Sequence, residues 1–66
     1  MPVITLQIGQ GQTNEDQKAR LVSRLATDAA DITGISAEKF ITFIDEYPLE
    51  AIGIGLKTIE ALQAGR

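Results

Sequence analysis

The chain has 66 residues, enough for one domain at most, taken here as 1–66. Six Lys and Arg are scattered among nine Asp and Glu, for a net charge of −3, so there is no basic footprint for nucleic acid. The chain has no Cys and no His, which excludes disulfides and argues against a zinc or haem site.

Hydrophobic residues make up 44% of the chain, a globular level. A core of this size supplies only roughly 3–5 kcal/mol without cross-links, a metal or partner chains. Self-association is the remaining way to stabilise it. No apolar run approaches the ~20 residues of a membrane span. No basic region precedes an apolar stretch, as it would in a signal peptide. The expected location is therefore the cytoplasm, away from membranes.

Residues 2–9, PVITLQIG, alternate. Ile4, Leu6 and Ile8 share one face, and Val3, Thr5 and Gln7 share the more mixed one, which is the period of a strand. Pro2 has no N–H to give a ladder, and the first strand position tolerates that. GQGQTN (9–14) reads as a turn. Thr13 or Asn14 can cap a helix, and Asn14 with Gln17 forms a weak capping box. Glu15 and Asp16 suit the positive end of the helix.

The helix is predicted over Glu15–Thr33. Val22, Leu25, Ala26 and Ala29 form its apolar stripe, widened by Leu21, Ala30 and Ile32. Asp16 and Arg20 are placed for an i, i+4 pair, and Gly34 stops the helix. Residues 36–39 form a short turn. A second strand follows over FITFIDE (40–46); it is apolar on both faces, as a strand covered on both sides would be. Tyr47-Pro48 ends it. PLEAIGIG is a loop with a short extended piece. LKTIEALQAGR is a short helix or tail with Leu56, Ile59 and Leu62 on one face. The order strand, helix, strand with a helix of this length predicts a parallel pair and a right-handed crossover. The fold class is therefore α/β with a single β-α-β unit. One helix cannot cover both faces of that sheet, so further copies are expected to do so.

Several stretches invite a chemical reading. GQGQTN follows a strand and opens a helix, but Asn14 replaces the third glycine of a dinucleotide loop and no GK[ST] follows, so a glycine-supported turn is favoured. Asp45 and Glu46 are adjacent on a strand and point to opposite faces, which does not make a carboxylate pair. Tyr47 has no evident base beside it and reads as packing. Pro2 admits two readings. It can be a strand starter, the favoured reading on this residue alone. Or Met1 is removed, as Met before a small residue normally is, and a secondary amine is left at position 2. An α-amino group ordinarily titrates near 7.7–8.0, and apolar surroundings lower that value. The result is a base suited to moving a proton beside a carbonyl. With Met1 retained, the nitrogen is an amide and no base exists.

The Met-Pro start on a strand, G-x-T-x-E-D-Q-K over Gly11–Lys18, the lone β-α-β unit and the G-x-G at Gly53 and Gly55 resemble the 4-oxalocrotonate tautomerase family. EYPLEAIGIGLK looks most like its small DmpI-type members. The resemblance covers essentially the whole chain. It implies that Pro2, freed of Met1, is the general base in keto–enol interconversion of a small 2-oxo or enol acid, with no cofactor, because a proton is all that moves. It also implies that two chains pair into a dimer with a four-stranded sheet and that three dimers make a hexamer. The site would lie at a subunit boundary. In the best-known members two arginines and an aromatic residue hold a dicarboxylate; these align near Gln12, Ile41 and Ile52, and none is kept. Lys39, two residues before Ile41, is the candidate replacement cation, against a reading as a solvated strand-end lysine. The substrate-binding candidates are thus Gln12, Lys39, Ile41 and Ile52. Two other readings remain open: a subunit of a hetero-oligomeric tautomerase, and a non-catalytic oligomer binding a small apolar ligand.

Overall fold

The computed structural model describes residues 1–64, and the alternating start of the chain forms strand β1, Val3–Gly9. Helix α1, Glu15–Thr33, occupies the residues predicted for it. The capping box is complete. Asn14 Oδ1 accepts from Gln17 N–H at 2.8 Å, and Gln17 Oε1 accepts from Asn14 N–H at 2.9 Å, so two otherwise unpartnered donors are satisfied. At the other end Gly34 takes a left-handed conformation, φ 78°, and donates its N–H to Ala30 O. A 3-10 turn at Ala37–Lys39 leads into strand β2, Ile41–Tyr47.

β1 and β2 pair in parallel with Val3 opposite Ile41 and Gly9 opposite Tyr47. Directly paired residues of a pleated sheet share a face. Ile4, Leu6 and Ile8 therefore lie with Thr42, Ile44 and Glu46. This is the face α1 covers, since Lys18 Nζ reaches Glu46 Oε1 at 2.6 Å from the helix. The opposite face carries Val3, Thr5, Gln7, Ile41, Phe43, Asp45 and Tyr47. Among the described residues no helix covers it, and Val3 and Phe43 are half-exposed there. The expected cover on both sides of β2 is thus present on one side within a single copy.

After β2 a 3-10 turn, Leu49–Ala51, precedes a small antiparallel hairpin of β3, Gly53–Ile54, and β4, Lys57–Thr58. Its connection turns at Gly55, φ 61°. Helix α2, Ile59–Ala64, follows directly. The sequence predicts only an extended piece and a helix here. Leu56 belongs to the hairpin turn and is fully exposed, so it does not share a helix face with Ile59 and Leu62. The last two positions of that segment, 65 and 66, lie outside the described residues. Two other expectations are corrected. Ile32 is 83% exposed and stands off the apolar stripe of α1. Asp16 and Arg20 make no ion pair; among the described residues Lys18–Glu46 is the one that forms.

No hydrophobic side chain among the described residues is fully buried. The radius of gyration is 15.2 Å, against about 11 Å for a compact chain of this length. The accessible surface is 5132 Å², about 1,000 Å² more than a compact protein of this mass exposes. One copy therefore leaves much of its apolar surface in water.

Candidate functional site

The sequence candidates fall into two groups at opposite ends of β1. At the first end are Pro2, Ile41 and Lys39. Ile41 N–H donates to Pro2 O at 3.0 Å, which fixes the backbone of Pro2 against β2. Met1, in contrast, is 89% exposed. Ile41 lies on the open face. Lys39 closes the 3-10 turn before β2 and is exposed, so strand alternation does not carry it onto the face of Ile41.

At the other end, Gln12 and Ile52 line one cleft of about 560 Å³, a volume suited to a small ligand. Its floor is apolar, built from Ile8, Leu49, Ala51, Ile52 and Ile59, and its polar side chains are Gln7, Gln12 and Tyr47. With about 3.3 Å of rise per residue, β1 holds this cleft and Pro2 of the same chain about 23 Å apart. One copy does not bring the two groups together.

Local bonding explains the cleft. Gln10 N–H donates to Tyr47 O at 2.8 Å, carrying the parallel ladder one step past β1. The chain then turns through Gly11, φ 83°, and returns so that Gln12 Oε1 accepts from Gly9 N–H at 3.1 Å. On the far wall, Ala51 N–H bonds to Pro48 O at 2.8 Å, and Ile59 N–H bonds to Ile52 O at 2.8 Å. These bonds set Leu49, Ile52 and Ile59 against the end of the sheet. Gly9, the one residue buried outright among those described, permits the close approach. A Cβ there would meet Leu49 Cδ2 at 2.8 Å and Ile52 Cδ1 at 3.6 Å.

Tyr47 is the residue that sequence reasoning set aside. It was expected to end the strand and to pack; instead it is the last residue of β2 and a wall of the cleft. Its hydroxyl accepts from Gln7 Nε2 at 3.4 Å and keeps its own proton for donation. Its parity with Ile41, Phe43 and Asp45 is the signal that places it on the open face. Gly53 borders the cleft, while Gly55 belongs to the hairpin turn. No group of three or more acidic residues among those described is arranged to hold a metal ion. No helix among the described residues is long and apolar enough to cross a membrane.

The tautomerase enzyme model matches residues 2–62, which spans both ends of β1 and the hairpin. A 2-hydroxymuconate tautomerase of Bacillus subtilis (strain 168) is 30% identical over 63 residues, 96% of this chain and 100% of that one. The crystal structure of DmpI from Archaeoglobus fulgidus is 30% identical, with a TM-score of 0.79 over 89% of this chain and 98% of its own. A 4-oxalocrotonate tautomerase isozyme of Methylibium petroleiphilum, 20% identical, matches the fold with a TM-score of 0.90 over 98% of this chain and 100% of its own. The chain belongs to the tautomerase enzyme family.

Proposed function

We propose that the chain is a cofactor-independent tautomerase that interconverts the enol and keto forms of a small 2-oxo acid, with the Pro2 amine as general acid and base once Met1 is removed. The observation that carries this reading is the setting of Pro2. Its carbonyl is held by Ile41 N–H at 3.0 Å while Met1 is 89% exposed. Loss of Met1 therefore costs no packing and leaves a secondary amine at a fixed place at the head of the strand. In the reaction the enol O–H bond breaks, a C–H bond forms at the neighbouring carbon, and the C=C–O–H unit becomes H–C–C=O. The amine takes one proton and returns one, so no external reactant is consumed.

The second part of the proposal is assembly. The outer edge of β1 is unpaired among the described residues. Antiparallel pairing with the same edge of a second copy makes a four-stranded sheet and sets Pro2 of one copy beside the cleft of the other. The exposed Val3 and Phe43 on the open face give three such dimers a surface to bury against each other as a hexamer. In that arrangement Gln12 and Ile52 of one copy meet Pro2, Ile41 and Lys39 of another. The two groups of sequence candidates then meet, and Lys39 is the one Lys or Arg among them.

Replacing Pro2 with Ala tests the assignment of the base. Ketonisation of an enol acid is expected to fall at least about tenfold, with the oligomer unchanged by sedimentation. An undiminished rate removes Pro2 from the mechanism.

A further inference from the structure

Resting on that reading of the site, we infer that the cleft selects an enol acid with one carboxylate and an apolar body over a dicarboxylate, and that Gln12 and Tyr47 bind the oxygen on which negative charge grows. The donor inventory carries the argument. Gln12 Oε1 is committed to Gly9 N–H, which settles the sense of the amide: the group left for a ligand is the NH2, and it has no other partner among the described residues. Tyr47 accepts from Gln7 and retains its hydroxyl proton. Gln12 and Tyr47 thus present two neutral donors to the cleft. Donors of this kind stabilise an enolate oxygen as it gains charge without demanding a full anion in the ground state.

Apart from Gln7, the other side chains lining the cleft are apolar, among them Ile8, Leu49, Ile52 and Ile59. No Lys or Arg lines it among the described residues. A carboxylate placed against that floor is desolvated without a partner, which strongly disfavours binding. Asp45, on the same sheet face as Tyr47 and two residues before it, adds repulsion toward a second negative charge. A copy that delivers Pro2 to this cleft brings one cation with it, Lys39, enough for one carboxylate. The match is therefore to a monoanion whose non-carboxylate end is hydrocarbon.

The test compares kcat/KM for the enol of phenylpyruvate, with one carboxylate and an aryl body, and for 2-hydroxymuconate, with two carboxylates. The processed oligomer is used, together with its Pro2→Ala, Gln12→Arg and Tyr47→Phe variants. The monoacid is expected to be favoured by about a hundredfold or more, the effect of leaving one buried carboxylate unpaired. Gln12→Arg is expected to narrow or reverse that preference by improving the diacid. Tyr47→Phe is expected to lower kcat for the monoacid with little change in KM, as loss of a donor used mainly in the transition state does. Turnover that depends on Pro2 but favours the diacid, or a Gln12→Arg variant that leaves the ratio unmoved, overturns the specificity and leaves the base in place. No Pro2-dependent turnover of either acid overturns both.

Discussion

Phe43 sits near the middle of the uncovered sheet face, on the opposite side from α1, and is 51% exposed in a single copy. An aromatic side chain buries about 150–250 Å² in full, so about 100 Å² of Phe43 remains to be covered by another subunit. At about 25 cal/mol per Å² that is roughly 2.5 kcal/mol per copy. Two copies meeting across an interface lose roughly 5 kcal/mol when the ring is removed, which corresponds to about three to four decades in the dissociation constant. Phe43→Asp adds the desolvation of a carboxylate to this. Sedimentation velocity across a dilution series is the assay, with circular dichroism to follow α1. The variant is expected to dissociate at concentrations where the parent stays assembled, and Phe43→Ala is expected to fall between the two. A Phe43→Asp chain that sediments as the parent does across the whole series refutes the assignment of this face to assembly.

Two smaller perturbations probe the scaffold of the site. Asn14→Ala removes the acceptor for Gln17 N–H and is expected to cost about 1 kcal/mol, read by chemical denaturation at fixed protein concentration. A cost near zero would show that α1 does not depend on its cap. Gly9→Ala places a methyl 2.8 Å from Leu49 Cδ2, so Leu49 must move and the cleft narrows. The expected result is a several-fold rise in KM with little change in stability, because the atom that must give way is the end of a flexible side chain. An unchanged KM would mean that substrate does not reach this end of the sheet.

The elements with a long period were legible in the sequence. α1 repeats its apolar stripe over five turns and carries its stop and start residues, so both bounds are found. β1 alternates cleanly. β2 is displaced by one residue, because Phe40 belongs to the backbone leaving the 3-10 turn while Tyr47 still pairs with Gly9. Lys39 lies in that turn, outside the strand, so alternation does not relate it to Ile41. The hairpin Gly53–Thr58 was missed because two-residue strands have no period to detect. Its signal was the glycine pair, which marks the turn and not the pairing. At the site, the family pattern pointed to Gln12 and Ile52, and these do share one cleft. Tyr47, Leu49 and Ile59 join it through the chain's return after β2, which no local pattern in the sequence encodes.

The central claim is that a free amine on Pro2 moves the proton. The most direct measurement is the rate of enol ketonisation by two otherwise identical preparations, checked by intact mass: one lacking Met1, the other retaining it. The account predicts activity in the first and, because an amide nitrogen is not a base, none above the uncatalysed rate in the second. Equal activity in the two would contradict it.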